Sequence, residues 1–264
     1  MIMTGVNITA SRKSRESRAI ADFFALHGLP PDSVEALADV SRLRRRSRNR
    51  PMTLRVTRAA YFLVDGRVTE LVPSGKARLW REVMLFEGVT STAFFPGTYD
   101  EERPEKKTEE LISGTTLSSC LFIEVPNSRL ASLATTDPAI ALMLARMATK
   151  RHTLTERLYT ASRSAPVARV AAVLNYLAEP TRRNVIKTRD DGVLVMTTAE
   201  ELVASGPSQA DIADALCLGR ATVEKAIAEL RQVKALKSFS PGERANRCYP
   251  VEDRSLLRQI SLGG

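Results

Sequence analysis

Residues 206–236 read GPSQADIADALCLGRATVEKAIAELRQVKAL, and this segment is the most informative part of the sequence about the architecture of the chain. Ser208 is followed three residues later by Asp211, a spacing close to a capping box, and this pair predicts the start of a first helix. Gly219 lies in the short connection that follows, and a second helix is predicted from Arg220 onward. Apolar and small residues recur where two helices that cross at a steep angle pack together. The spacing is therefore that of a helix-turn-helix.

The outward face of the second helix, predicted over about residues 220–233, carries side chains suited to the major groove of DNA. Arg220 can donate two parallel hydrogen bonds to guanine O6 and N7, a contact worth roughly 1–3 kcal/mol of discrimination. Thr222 and Lys225 can contact phosphates or a base edge. Ser208, at the start of the first helix, completes this group of predicted DNA contacts. The alternative is an ordinary buried helical hairpin that binds no nucleic acid.

Two hairpins are predicted on either side of the helix-turn-helix. The upstream hairpin folds residues 185–196 about an Asp-Gly pair, which is a strong turn signal. The downstream hairpin, residues 237–251, has a basic tip and is typical of a wing. Arg244 and Arg247 are predicted to contact DNA phosphates there. Residues 164–264 are therefore predicted to form a winged helix-turn-helix DNA-binding domain.

A long dimerisation helix is predicted over residues 137–163. It begins at an Asp-Pro pair, because Asp can cap the first free N–H groups and Pro fits the first turn. Its apolar positions recur at alternating steps of four and three, as in the seam of a coiled coil. The predicted dimer interface comprises Ile140, Leu144, Met147, Arg151, Leu154 and Leu158. Arg151 either weakens this seam or, if paired across it, fixes the register. The alternative is that the stripe covers the barrel of its own chain.

Residues 21–136 are predicted to form a sensor domain with a β-rich core. Two short helices flank the Gly-Leu-Pro-Pro break at residues 28–31, and alternating strands follow. Asp65-Gly66, between two apolar runs, predicts a β-hairpin. Several short strands joined by turns are typical of a small antiparallel barrel or sandwich, so the fold class is α+β. Residues 1–20 are polar and basic without periodicity, and they are expected to be a flexible arm.

A dense group of arginines lies at positions 42, 44, 45, 46, 48 and 50. Six guanidinium groups within nine residues can bind phosphate or an acidic partner. An equally favoured alternative is a solvated basic loop or the edge of a strand. The sequence leaves the role of this segment open.

The composition excludes several classes of protein. The chain has 264 residues, enough for about two domains, and 39 basic against 30 acidic residues give a net charge of +9. A hydrophobic content of 44% excludes a wholly disordered chain. A cytoplasmic protein without membrane contact is expected, because no apolar run approaches the ~18 residues that cross a bilayer and the start lacks a secretion-signal core. Three distant cysteines and two histidines favour neither a disulfide framework nor a metal site.

Residues 50–255 resemble the cyclic-AMP receptor protein and fumarate-nitrate regulator (CRP/FNR) family of dimeric bacterial transcription factors. The best match is Cys217-Leu218-Gly219-Arg220-Ala221-Thr222-Val223 with Lys225, where the family has a Ser-Arg-Glu-Thr-Val-x-Arg run that reads the operator half-site. Weaker matches are PVARVAAVLNYLA at 166–178 and YFLVDGRV at 61–68. The resemblance implies an N-terminal cyclic-nucleotide-binding-like β-barrel, a long dimerisation helix and a C-terminal winged helix-turn-helix. Ala221 and Lys225 replace the family's Glu and second Arg, so the familiar half-site is not expected.

The effector site of that family is not intact in this sequence. Family members that bind cyclic nucleotides have a Gly-Glu-Leu run followed by an Arg-Ser or Arg-Thr pair. Here residues 94–100 read FFPGTYD and residues 106–110 read KKTEE. The two glutamates would repel a cyclic phosphate, although the Lys-Thr pair beside them, if slipped in register, could replace Arg-Thr. Cyclic AMP is therefore not the expected effector, and the effector-binding residues are unknown.

The expected function is that of a homodimeric, sequence-specific DNA-binding transcription regulator whose recognition helices enter successive major grooves of a palindromic double-stranded site. The alternative is a small-molecule-sensing allosteric regulator whose barrel binds an effector other than cyclic AMP. The resemblance implies RNA polymerase as a further partner. An enzyme, a cofactor and a metal are not expected, because no nucleophile motif, phosphate-binding Gly loop or ligand cluster is present.

Overall fold

The computed structural model describes residues 6–55, 58–72, 75–82, 84–85, 111–160, 164–188, 194–238 and 247–263. The chain is divided into two units. The first unit comprises Met1–Ser74 and Trp80–Leu154, and the second comprises Gly75–Leu79 and Thr155–Gly264. Helices and strands occur in both units, which confirms the predicted α+β class.

The first unit begins with two helices, α1 (Val6–Leu26) and α2 (Pro31–Val40). The expectation of an arm without regular structure over residues 1–20 differs from the structure, because α1 already begins at Val6. The end of α1 is anchored by Phe24, which is fully buried and packs edge-on against Phe62 with ring centroids 5.7 Å apart. Once that end is fixed, each residue added to the helix gains a hydrogen bond, so a polar sequence without periodicity can extend it.

Eight strands form two four-stranded sheets, and all of them belong to the first unit except for residues 77–79 of the fifth strand. In chain order they are β1 (Arg42–Arg46), β2 (Pro51–Arg55), β3 (Ala59–Asp65), β4 (Arg67–Leu71), β5 (Ala77–Arg81), β6 (Met84–Leu85), β7 (Leu111–Thr116) and β8 (Cys120–Pro126). One sheet has the order β1-β8-β3-β6 and the other β2-β7-β4-β5. In the described residues the sheets are not closed into one barrel, so the predicted barrel is corrected to two separate sheets.

The turn at Asp65-Gly66 is a corner between the two sheets. The predicted hairpin is wrong, because β3 belongs to one sheet and β4 to the other. The turn chemistry itself is as expected: Gly66 has a φ of +99°, and a Cβ there would lie 2.5 Å from the carbonyl oxygen of Ser119. The two strands do not pair with each other because each has a distant partner: β3 pairs with β8 and β4 pairs with β7.

Two further helices follow the strands, α3 (Asn127–Thr136) and α4 (Pro138–Thr155), and a π-helical turn spans Glu156–Thr160. The predicted cap is confirmed, because Asp137 Oδ1 accepts a hydrogen bond of 2.8 Å from the backbone N–H of Ala139. Ser33 donates to the other carboxylate oxygen and thereby lowers the pKa of Asp137.

The apolar stripe predicted as a dimer seam is buried within the single chain. Ile140 is fully buried, and none of its partners is more than 8% exposed; these are Leu144, Met147, Arg151, Leu154 and Leu158. The single chain therefore shows the coverage that the alternative prediction expects. A role of these residues in a dimer stays a prediction.

A buried ion pair joins helix α4 to strand β4. Arg151 Nη2 donates to both carboxylate oxygens of Glu70, at 2.7 Å and 2.9 Å, and the Trp80 indole N–H donates to the same carboxylate. The Arg151 guanidinium carbon lies 4.7 Å from the centre of the Trp80 ring, a cation–π distance. The Glu70 side chain is only 1% exposed and that of Arg151 9%. The sequence did not identify Glu70 as the partner of Arg151.

The second unit contains α5 (Pro166–Leu177), β9 (Ala178–Thr188), β10 (Leu194–Ser205), α6 (Gln209–Leu216), α7 (Arg220–Gln232), β11 (Cys248–Pro250) and α8 (Arg254–Ser261). Its sheet has the order β11-β10-β9. The predicted upstream hairpin is confirmed and is longer than expected, because pairing continues back to Ala178 opposite Ala204.

Two hydrogen bonds connect the π-helical turn to β5. The Tyr159 hydroxyl accepts from the Leu79 N–H at 2.8 Å and donates to the Leu79 carbonyl at 2.6 Å.

We expect Arg151→Ala to lower the free energy of unfolding by about 3–5 kcal/mol, because it leaves the Glu70 carboxylate buried without its cation. Arg146→Ala removes an exposed arginine from the same helix and should cost less than about 0.5 kcal/mol. Urea denaturation followed by circular dichroism measures both values. Equal and small losses in the two variants would contradict a stabilising role of the pair.

Candidate nucleic-acid interface

Helices α6 and α7 form the predicted helix-turn-helix, and the chain fixes each end of α6 locally. At its start Ser208 Oγ accepts from the Asp211 N–H at 3.2 Å, while Asp211 Oδ2 accepts from the Ser208 N–H at 2.7 Å. This is the predicted capping box, which satisfies two N–H groups at the helix start. At the end of α6, Cys217 adopts the left-handed conformation with a φ of 51° and turns the chain toward α7.

A common apolar core fixes how the two helices are presented. Ile212 of α6 and Val223 of α7 are fully buried, and Ile227 is 1% exposed. Arg169 of α5 donates to the carbonyl oxygen of Leu216, one of the last carbonyls of α6, which have no partner within the helix. Because the cation also lies at the negative end of the α6 dipole, this contact stabilises the junction.

The N-terminal half of α7 presents a cationic face to solvent. The side chain of Arg220 is 67% exposed, Lys225 is also exposed, and Thr222 is half-buried between them. Arg220 Nε donates to Glu224 Oε1 at 3.0 Å, one helical turn along. This contact leaves the two terminal nitrogens of Arg220 available, and that end of the guanidinium matches guanine O6 and N7.

Glu224 is a candidate residue of the nucleic-acid interface that the sequence analysis did not identify. Its side chain is 47% exposed and lies on the same face as Arg220. The available signal was the spacing of four residues between opposite charges in a helix, which places the two side chains side by side. Arg231, by contrast, is half-buried, and burial lowers the pKa of its guanidinium.

The base of the predicted wing follows α7. Leu236 pairs with Val251, and the Lys237 N–H donates to the Pro250 carbonyl at 2.9 Å. The Lys237 ammonium forms an ion pair of 2.6 Å with Glu201 of β10. Residues 239–246, with the predicted phosphate contact Arg244, lie outside the described residues.

Arg247 binds the start of α6. Its Nη1 donates to the Gly206 carbonyl at 3.1 Å and lies 3.6 Å from Asp211 Oδ2. The Arg247 carbonyl in turn accepts from the Gly206 N–H at 2.9 Å. The structure therefore brings Arg247 next to Ser208 and its capping partner, and contacts of Arg247 and Ser208 with DNA stay predictions.

The strand after the wing contributes a buried tyrosine to the core of the second unit. Tyr249 is 1% exposed, and burial raises the pKa of its hydroxyl well above the ordinary value. The nearby cations of Arg231 and Arg247 oppose this rise only in part. Tyr249 therefore belongs to the neutral core of the second unit and is not part of the exposed face of α7.

Residues 94–100 and 106–110, which correspond to the effector signatures of the family that the sequence resembles, lie outside the described residues. Among the described residues, none of the helices combines the length and hydropathy that crossing a lipid bilayer requires.

No family model and no curated protein matches the sequence, whereas many solved structures share the fold. A cyclic nucleotide-binding domain containing protein from Listeria monocytogenes EGD-e is 13% identical, with a TM-score of 0.55, over 90% of this chain and 99% of that one. FixK2 from Bradyrhizobium japonicum is 16% identical, with a TM-score of 0.50, over 84% and 97% of the two chains. A CRP/FNR-family transcriptional regulator from Thermus thermophilus is 17% identical, with a TM-score of 0.50, over 84% and 100%. The chain therefore has the CRP/FNR-type fold that its motifs predict.

We expect Ser208→Ala to lower the free energy of unfolding by about 1 kcal/mol, because the Asp211 N–H loses its acceptor at the start of α6. Ser208→Thr keeps a hydroxyl at the same position, which can accept from the Asp211 N–H and donate to the Asp211 carboxylate, and it should restore most of that loss. Thermal and urea unfolding of the two variants measure the difference. A Ser208→Ala variant as stable as the wild type would contradict the capping role.

Proposed function

We propose that the chain is a homodimeric, sequence-specific DNA-binding transcription regulator that inserts α7 into the major groove of a palindromic site. The observation that carries this proposal is the cationic, exposed N-terminal face of α7, with Arg220 and Lys225 projecting from a rigidly capped helix-turn-helix. A helix presented in this way fits the width of the major groove and reaches base edges with its first residues.

Local electrostatics at the start of α7 support the same role. Gly219 caps the helix without a side chain, so no side-chain acceptor covers the N–H groups of the first turn. A helix N-terminus of this kind attracts phosphate through its free N–H groups and its dipole. The N–H groups of the first turn can then contact a phosphate of the DNA backbone, while the side chain of Arg220 contacts a base.

The bases that α7 prefers should follow its own side chains. Arg220 is suited to guanine, whereas Ala221 provides no acceptor for a cytosine amine and Lys225 acts as a point charge rather than a fork. The operator therefore has its own half-site, in which Arg220 specifies one base pair.

The proposed dimer uses the exposed side of α4. The stripe that contains Ile140 and Leu144 is covered by the chain itself, so the face of α4 that is open to a partner helix in this structure is the opposite one. Leu142 lies on that face and is 51% exposed, and its neighbours Ala141 and Ala145 are also exposed. Small residues beside a leucine allow two helices to approach closely.

We expect Arg220→Ala to weaken binding to the selected operator by about 5- to 150-fold per half-site, the equivalent of the 1–3 kcal/mol of one bidentate contact. Base preference should be lost at one position per half-site, as measured by selection from random DNA. Arg254→Ala, an exposed arginine on α8, should leave the preference unchanged. Equal losses on operator and random duplexes for Arg220→Ala would contradict base reading.

We expect Leu142→Glu to convert the dimer into a monomer, because the added charge would be buried between two copies. Leu262→Glu provides the control, since Leu262 is 75% exposed and lies beyond α8. Sedimentation equilibrium measures the mass of each variant. A Leu142→Glu variant that stays dimeric would exclude this face of α4 as the interface.

A further inference from the structure

The arginine-rich segment of residues 42–50 forms an exposed edge in the first unit, here named the arginine edge. It consists of strand β1 and the turn that leads to β2, and every one of its six arginines is exposed. Strand β1 stands at the end of its sheet, where β8 pairs with one side of it. The structure therefore places these arginines at the edge of a strand, while the function proposed above gives them no role.

Few carboxylates neutralise this edge. Arg44 pairs with Glu124 of β8 at 2.7 Å. Within the part of the chain that the structure describes, the other five arginines have no carboxylate within ion-pair distance; they are Arg42, Arg45, Arg46, Arg48 and Arg50. The edge thus concentrates unpaired positive charge along one strand and its turn, with Arg42 and Arg46 on one face of the sheet and Arg45 on the other, and a polyanion would be attracted there.

Thr116 of β7, which is fully buried, forms hydrogen bonds with the backbone of the turn in the arginine edge. Thr116 Oγ1 donates to the Ser47 carbonyl at 2.7 Å, and the Thr116 carbonyl accepts from the Asn49 N–H at 2.7 Å. The Thr116 N–H donates to the Arg50 carbonyl at 3.0 Å. Because the backbone is already ordered, binding a ligand here does not require the loop to be ordered first.

The spacing of charge favours nucleic acid over an acidic protein. Arg42 and Arg46 are separated by four strand steps, about 14 Å, and four arginines lie within that length. Over about 14 Å the two strands of a DNA duplex together carry roughly eight phosphates, more than the three arginines of β1 that have no carboxylate partner among the described residues, Arg42, Arg45 and Arg46. The guanidinium group also matches phosphate oxygens through two parallel hydrogen bonds.

We propose that the arginine edge is a second, sequence-independent DNA-binding surface, which contacts the phosphodiester backbone of double-stranded DNA. It goes beyond the function proposed above, because it lies in the first unit and does not involve α7. Binding at this surface exchanges counterions for arginines, so its signature is salt dependence without base preference.

The test compares the full-length chain with two triple variants. The edge variant is Arg42→Ala/Arg45→Ala/Arg46→Ala, and the matched control, Arg15→Ala/Arg18→Ala/Arg129→Ala, removes three exposed arginines from helices of the same unit. Affinity for a random-sequence duplex is measured across a salt series. The edge variant should lower the slope of log affinity against log salt by about 2.7, and the control should leave it close to wild type.

A charge-preserving variant, Arg42→Lys/Arg45→Lys/Arg46→Lys, separates lost binding from lost folding, since it should keep most of the slope. Equal slopes for the edge variant and the control would overturn the proposal. Loss of binding to polyglutamate by the edge variant, with unchanged binding to the duplex, would overturn it in favour of an acidic protein partner.

The same series distinguishes this inference from the function proposed for α7. If the wild type selects an operator through Arg220 while the edge variant behaves like the control, the proposed role of the arginine edge is refuted and the function proposed for α7 stands. If random duplex binds through the edge but no operator is selected, the sequence-specific function fails and the inference stands. Arg220→Ala combined with the edge variant should bind random duplex more weakly than Arg220→Ala alone.

Discussion

A carboxylate that is withdrawn from water has to be paired, and the first unit is organised around this requirement at Glu70. Its partners are the guanidinium of Arg151 and the indole N–H of Trp80, so one carboxylate joins β4, β5 and α4. Because Arg151 stands in the middle of the apolar stripe of α4, its pairing with Glu70 decides which face of the helix lies against the rest of the chain. The apolar residues on the same face are buried with it, and the face around Leu142 is left to solvent.

The second unit relies on local constraints rather than on one buried charge. The capping box of Ser208 and Asp211 begins α6, the left-handed Cys217 ends it, and the apolar core shared with α7 sets the rotation of that helix. Val223 and Ile227 pack inward, whereas Lys225 lies away from them around the helix and Arg220 is exposed because it is the first residue of α7. The chemistry of the proposed interface therefore follows from the packing of α7 and from the residue at which the helix begins.

The parts of this structure that could be predicted from sequence depend on contacts between residues that are close along the chain. The capping box at Ser208, the start of α4 at Asp137 and the hairpin of β9 and β10 are of this kind, and each is confirmed. The parts that could not be predicted depend on distant pairing. Asp65-Gly66 has the chemistry of a hairpin turn, yet the residues of β8 and β7 that pair with its two strands lie between 42 and 67 positions further along, and the two strands belong to separate sheets.

The same distinction holds for single side chains. Arg151 has the spacing of a dimer seam, but its partner Glu70 lies 81 residues away and no local pattern connects them. Arg247 reads as a phosphate contact in a basic turn, although its side chain reaches back to Gly206. Glu224 was accessible to local reasoning, because it stands one helical turn from Arg220.

Strand β1 has a consequence for how copies of this protein coexist in solution. The edge of a sheet offers unpaired N–H and C=O groups, which invite strands of other molecules to extend the sheet and so to polymerise. Here every copy would present the same row of guanidinium groups, so two such edges repel each other at close range. Charged side chains on an edge strand disfavour such edge-to-edge pairing, and the arginines of β1 fulfil this condition.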